Sequence, residues 1–389
     1  MKRIIIFILA TLILHSSLSA HQIGHTTFTF IDSLRSNRQI ITEVYYPATS
    51  AGNNTPIAAG VFPLITFGHG FVMVWSAYQN FWDSLVPEGY IMAFPTTEGS
   101  FSPSHVDFGK DLKFLIEKIQ GHGVGAVIPS ASVGTTSAIM GHSMGGGCSF
   151  LAAENNLTIT TMVSFASANT SPSSITASQQ VSVPTLLFSG TNDCVTPPSQ
   201  HQDIMYDSTA AAFKTQVNIT GGGHCFFANS NFNCTFGEST CSPSSTITRA
   251  EQQSVTHNFL KLWLAYFLKN DCQKAQEFQD SLNVSSKIGY RQSQAIGCLT
   301  GINNSNFYPC QFKFFPNPFS TQTTLQTDNH LHNATLTIYN SFGQIVRKIK
   351  NISGNTATLH RDNLPNGLYF VELTQDNKQI ETKKLIITD

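Results

Sequence analysis

The sequence has 389 residues, room for one full-sized domain and a smaller one. Only 12% of them are Asp, Glu, Lys or Arg, about half the usual share, and the formal net charge is −1. With no Walker, Rossmann or zinc-ligand pattern and no long-range field, nucleic acid and acidic membranes are poor partners, and a neutral substrate fits better than a polyanion.

The chain opens with Met1-Lys-Arg3, an apolar run from Ile4 to Leu14, and the small residues Ser17-Leu-Ser-Ala20. This has the layout of a secretory signal peptide over 1–20, with the mature chain starting near His21. No later stretch is apolar for long enough to be a transmembrane helix. Val61-Phe-Pro-Leu-Ile-Thr-Phe67 reads as a buried strand, and Gly68-His-Gly-Phe71 follows it as a tight loop. Ser137-Ala-Ile-Met140 reads as the end of a second strand, and Met144 to Glu154 is compatible with a helix. Between them stands Gly141-His-Ser-Met-Gly145, the G-x-S-x-G form of a nucleophile elbow. A serine at the tip of a strained strand-to-helix turn needs small neighbours, and Gly145, Gly146 and Gly147 supply them. Taken alone, the pattern also arises by chance, so its context matters.

A serine hydroxyl is a weak nucleophile until a base takes its proton, and the base needs an orienting carboxylate. Val183 to Ser189 reads as a strand, and Asp193 lies just past its carboxyl end. Thr215 to Thr220 reads as the next strand, and it leads through three glycines to His224. Asp203 and Asp207 are weaker acids for this role because they fall in a probable helix. His257 lies in the helical stretch 250–268, where Val255, Phe259, Leu262, Trp263 and Tyr266 mark a core face. The expected set is therefore Ser143, His224 and Asp193, with backbone N–H groups of Phe71 and Met144 as the oxyanion donors. Phe71, His142, Ser167, Ala168 and Asn169 are expected to face the substrate. Such chemistry calls for no metal and no organic cofactor, and a monomer is expected.

Residues 27–298 resemble the α/β-hydrolase superfamily, and most nearly its dienelactone-hydrolase-like group with the bacterial cutinases and polyester hydrolases. Chlorophyllases and platelet-activating-factor acetylhydrolases are cousins. Thr42-Glu-Val-Tyr-Tyr-Pro47, Phe67-Gly-His-Gly-Phe71, Ala138 to Gly147, Val183-Pro-Thr-Leu-Leu187 and Gly222-Gly-His224 carry the resemblance. It implies an α/β fold, a mostly parallel sheet flanked by helices, over a catalytic domain at 21–298. It also implies a serine esterase acting through an acyl-enzyme. In polyester hydrolases an aromatic beside the oxyanion hole flanks the ester, a role Phe71 can fill, and a tryptophan flanks it from the opposite loop. Here that loop reads Phe165-Ala-Ser-Ala-Asn-Thr-Ser171, without tryptophan. Short-chain esters are therefore expected to be preferred, with slow cleavage of aliphatic polyesters and slower cleavage of aromatic ones. A lipase or peptidase, or a non-catalytic binding module on the same fold, are the competing readings. Residues 226–249 read as a long polar loop able to shape the acyl pocket.

After a linker at 299–312, short alternating runs at 334–339, 344–349, 367–373 and 384–387 predict a small antiparallel β-sandwich over 313–389. Phe315-Pro-Asn-Pro-Phe319, Ile338 to Gln344, Gly367-Leu-Tyr369 and Lys384-Leu-Ile-Ile387 make it resemble the sorting domain of the type IX secretion route. That implies the type IX machinery as a partner and a secreted or cell-surface location. A carbohydrate-binding or adhesive sandwich would need an exposed aromatic row. Eight cysteines in an exported chain imply disulfides. Cys194 follows Asp193 and Cys225 follows His224, so a Cys194–Cys225 bridge is expected, and Cys234 with Cys241 could close a small loop. Cys272 and Cys298 resemble the family's C-terminal staple. Cys148 is expected to be a buried thiol, and Cys310 stands at the linker.

Overall fold

The computed structural model describes residues 20–297 and 312–389, apart from 341–342 and 376–377. The expected leader, Cys298, Cys310 and most of the linker lie outside the described residues. The described residues fall into two compact units, one over 20–297 and one over 312–389.

The first unit contains β1 (Gln22–Asp32), β2 (Arg38–Ala48), β3 (Gly52–Asn53), β4 (Phe62–Gly68), α1 (Gln79–Leu85), β5 (Ile91–Pro95), α2 (His105–His122), β6 (Val133–His142) and α3 (Met144–Ala153). It continues with β7 (Thr161–Phe165), α4 (Ser174–Ser178), β8 (Thr185–Gly190), α5 (Gln202–Ser208), β9 (Lys214–Ile219), α6 (Phe232–Glu238), α7 (Arg249–Lys269), α8 (Cys272–Val284) and β10 (Ile288–Gln292). The ten strands form one sheet in the order β10-β9-β8-β7-β6-β4-β5-β2-β1-β3. The run from β9 to β5 is parallel, and β10, β2 and β1 extend it antiparallel. This is the α/β architecture that the resemblance implied.

Burial explains the strand sequences. The central strands are mostly apolar and are buried along their whole length because both faces are covered. Alternate residues go to opposite faces: Ile65, Phe67, Ala138 and Met140 pack with α1, α7 and α8. Leu64 and Ile139 pack with α2 and α3 instead. The chain runs outward from β4 to β5, then returns to β6 on the other side of β4. The switch in direction leaves a crevice at the carboxyl ends of β4 and β6, where such sheets place their ligands. Gly68 ends one strand and His142 the other.

A charged cluster braces the loop after β5 beside this crevice. Asp111 of α2 is fully buried and receives both Arg38 and Arg35 at 2.6–2.9 Å. It also accepts from Thr97 Oγ1 at 2.6 Å, and the Thr97 carbonyl in turn meets His69 Nε2 at 2.8 Å.

The second unit is antiparallel throughout its ladders: β11 (Phe312–Phe315), β12 (Gln322–Tyr339), β13 (Ile345–His360), β14 (Gly367–Gln375) and β15 (Lys378–Ile387). The long β12 pairs with β11, β13 and β14, and the inward residues, Phe312, Leu325, Leu336, Val371 and Leu385 among them, form one core. Two of the motifs quoted above meet here. Asn317 accepts from the Ile386 amide at 2.8 Å and donates to the Lys384 carbonyl at 2.9 Å.

α3 approaches the end of β4 closely. A Cβ on Gly145 would lie 2.1 Å from the Gly68 carbonyl oxygen, which is backbone and cannot swing away. Gly145→Ala should therefore destabilise the first unit by at least the ~1–3 kcal/mol of an overpacked core. Gly237→Ala in α6, where nothing lies within 4 Å, should be neutral or stabilising by up to about 1 kcal/mol. Thermal unfolding of the two variants beside the parent checks both signs.

Candidate active site

Ser143 sits at the turn between β6 and α3 with φ 56° and ψ −119°, a region L residues rarely enter. The strain is held by its neighbours. The Ser143 amide donates to the Phe165 carbonyl at 2.9 Å, and its carbonyl accepts from Gly147 and Ala168 at 3.1 and 2.9 Å. Its Oγ lies 2.9 Å from His224 Nε2, and His224 Nδ1 lies 2.8 Å from Asp193 Oδ2. The carboxylate can only accept, so Nδ1 carries the proton and Nε2 is free to receive one from the serine. Asp193 and His224 are almost wholly buried, which strengthens their interaction.

The acid is fixed through its other oxygen. Asp193 Oδ1 accepts from the amides of Val195 and Thr196 at 2.9 and 2.8 Å. Thr196 Oγ1 touches Asp193 Oδ2 at 2.9 Å and His224 Nδ1 at 3.1 Å, and Gln202 donates to it at 3.1 Å. Thr196 was not singled out from the sequence. Its signal is the Asp-x-x-Thr spacing of a side chain closing its own turn. The alternative residues lie elsewhere. Asp203 accepts from Gln216, and Asp207 pairs with Arg291. His257 packs edge-on to Phe81, and burial pushes its pKa down to about 4.

The two expected oxyanion donors sit at helix and loop positions. Met144 begins α3, so its N–H has no intrahelical acceptor. Phe71 follows a loop held by His69, which is buried with its ring nitrogens 2.8 Å from the Gly70 and Thr97 carbonyls. The next residue, Val72, has φ 49°, which is strained for a β-branched side chain.

Of the expected substrate-facing residues, Phe71 is 45% exposed and meets Phe101 edge-on at 6.2 Å. Ala168 is half-buried and Asn169 exposed, but Asn169 Oδ1 is occupied by the Ser173 hydroxyl at 2.9 Å. His142 and Ser167, in contrast, are fully buried. A residue flanking the nucleophile on a strand end, or on an interior loop turn, points into the protein as readily as out.

The expected disulfides are also corrected. Cys194 pairs with Cys241 and Cys225 with Cys234. Asp193 and His224 do touch, but the residue after each points away, and a third segment receives both sulfurs. That segment, read as a polar loop at 226–249, contains α6. Asn231 caps α6 by accepting from the Cys234 amide at 2.9 Å, and the buried Cys234 reaches back to the base loop. Glu238 accepts from the His224 amide at 2.7 Å, and Asn233 donates to the Val72 carbonyl at 2.6 Å. Gln252 of α7 clamps the Gly223 amide and carbonyl at 2.9 and 2.8 Å. Cys272 is disulfide-bonded, and Cys148 is a buried free thiol whose pKa burial pushes up.

Residues 15–242 match the family described as PETase, PET hydrolase-like. Residues 313–388 match the secretion system C-terminal sorting domain. Among curated proteins no match is found.

Peptide mapping of the alkylated, unreduced protein should recover Cys194 linked to Cys241 and Cys225 linked to Cys234; a Cys194–Cys225 peptide would contradict the arrangement. By loop entropy the sequence separation of 47 corresponds to about 4 kcal/mol and that of 9 to about 3 kcal/mol. The Cys194→Ala, Cys241→Ala pair should therefore lower the melting temperature more than the Cys225→Ala, Cys234→Ala pair.

Proposed function

The chain belongs to the PET hydrolase-like family and, with its type IX sorting domain, is an exported hydrolase that is secreted or held at the cell surface, and from that premise we propose that it cleaves carboxylic esters through Ser143, His224 and Asp193. The observation that carries this reading is the unbroken chain of contacts from Ser143 Oγ to His224 Nε2 at 2.9 Å and from His224 Nδ1 to Asp193 Oδ2 at 2.8 Å. His224 takes the proton of Ser143 as its oxygen attacks the ester carbonyl. Asp193 holds the ring and stabilises the imidazolium that forms. The amides of Phe71 and Met144 receive the negative charge on the carbonyl oxygen. His224 then returns the proton to the leaving alcohol, and water attacks the acyl-enzyme by the same steps in reverse roles. The enzyme acts as a monomer.

Substrate preference follows from the mouth. The exposed Phe71, with the exposed Phe101 edge-on to it, stands on one side, and the half-buried Ala168 stands on the loop opposite. An aliphatic ester needs little more than this. An aromatic ester unit gains a stacking partner on one side only, and a missing partner is worth roughly 0.5–1.5 kcal/mol. Short-chain esters are therefore the preferred substrates, aliphatic polyesters slower ones and aromatic polyesters slower still.

Two measurements test this. Ser143→Ala should lower turnover of a short p-nitrophenyl ester by about 10⁴–10⁶-fold while leaving the melting temperature within a few degrees. Turnover within tenfold of the parent would mean a non-catalytic or differently catalytic fold. Ala168→Trp should raise release of soluble products from an aromatic polyester film several-fold relative to short-ester turnover. Asn169 is the poorer position for that change, because its side chain anchors the start of α4 through Ser173.

A further inference from the structure

Tyr78 and His142 are completely buried polar side chains that the steps above do not use. They belong to one continuous chain of hydrogen bonds. The Gly70 amide lies 2.8 Å from Tyr78 Oη, Tyr78 Oη lies 2.9 Å from His142 Nδ1, and His142 Nε2 lies 3.0 Å from the His224 carbonyl oxygen. Donor and acceptor chemistry fixes its direction. A carbonyl only accepts, so His142 Nε2 carries a proton. A neutral imidazole then offers Nδ1 as an acceptor, Tyr78 donates to it, and the tyrosine oxygen accepts from Gly70. Every group is satisfied in this one arrangement, as buried polar groups need to be.

The alternative direction is disfavoured on geometry and charge. A protonated His142 would turn the Tyr78 proton toward Met73 Sδ, 3.2 Å away and a weak acceptor. It would also set a second cation in a ring 4.8 Å from that of His224. Burial and the neighbouring His224 hold His142 well below the usual imidazole range, in the neutral form.

We infer that Tyr78 and His142 are positioning residues, forming a buried relay that fixes the loop bearing the Phe71 amide against the loop bearing His224. This rests on the proposed esterase reading of the site. Negative charge at the Phe71 and Met144 amides and positive charge on His224 develop in the same transition state. The relay sets the spacing between them, and it passes through the residue that precedes Ser143. A displacement of about 1 Å in such a constellation lowers rates by up to ~10²-fold.

The test uses the full chain carrying Tyr78→Phe, His142→Phe or His142→Gln, with Ser143→Ala as reference. The measurements are kcat and KM on a short p-nitrophenyl ester, taken well below each variant's melting temperature. Tyr78→Phe and His142→Phe should lower kcat by about 10–100-fold and leave KM within about twofold. His142→Gln should recover at least about tenfold over His142→Phe, because its amide N–H can still reach the His224 carbonyl and its oxygen can still accept from Tyr78. A merely space-filling role would make Phe and Gln equivalent. Equal impairment of those two variants, or a parental kcat in Tyr78→Phe, overturns the inference. If His142→Phe does not fold, Tyr78→Phe, which loses one oxygen atom, decides it alone. Should Ser143→Ala stay active, the esterase reading itself fails. Should Ser143→Ala be dead while the relay variants keep parental kcat, only the relay fails.

Discussion

A buried imidazole has to be met at both ring nitrogens, and the arrangement of the first unit follows from meeting that demand for His224. One nitrogen faces Asp193 and the other Ser143, and the three residues come from loops after three different strands. The parallel sheet brings those strand ends to one edge. Close approach of α3 to β4 sets Ser143 at the switch point, and only glycine at 145 permits the approach. The strained backbone at Ser143 is stable because its amide and carbonyl are both engaged.

The same loops are secured from outside the sheet by the segment around α6. It is joined covalently to the residue after Asp193 and to the residue after His224, and by hydrogen bonds to His224 and Val72. A surface with few charges offers few ion pairs to hold loops in place. In an exported protein disulfides can take that task. Phe232 and Phe236 of the same helix are exposed, so the segment is secured by its polar and cysteine side chains rather than by burying its aromatics.

The sorting domain has a different logic. Its strands are stabilised by one small apolar core and by extended antiparallel ladders around the long β12. The Pro-Asn-Pro turn and the terminal strand, far apart in sequence, are tied together through Asn317. Loss of the last strand would therefore undo the turn as well.

What the sequence determined by itself is local and repetitive. Strands at 62–68, 185–190 and 214–219, the glycine-flanked serine, the long core helix ending near residue 269 and the alternating strands after 312 were legible because periodicity and turn chemistry act over a few residues. Order along the chain favoured Asp193 over Asp203 and His224 over His257, since each follows a strand end, and the fold brings Asp193 and His224 within 2.8 Å of each other. Tertiary structure alone decided which cysteines pair, because two loops can touch without their next side chains converging, and a third segment intervened. It alone turned His142 and Ser167 inward, because side-chain direction at a strand end depends on the whole fold packed around it. Tyr78 and Glu238 carried no pattern that reveals a role, and for Thr196 the Asp-x-x-Thr spacing shows the turn it closes on Asp193 but not its contact with His224. These partners of Tyr78, Thr196 and Glu238 lie 64, 28 and 14 residues away, and a hydrogen bond at that separation exists only once the sheet has brought its loops together.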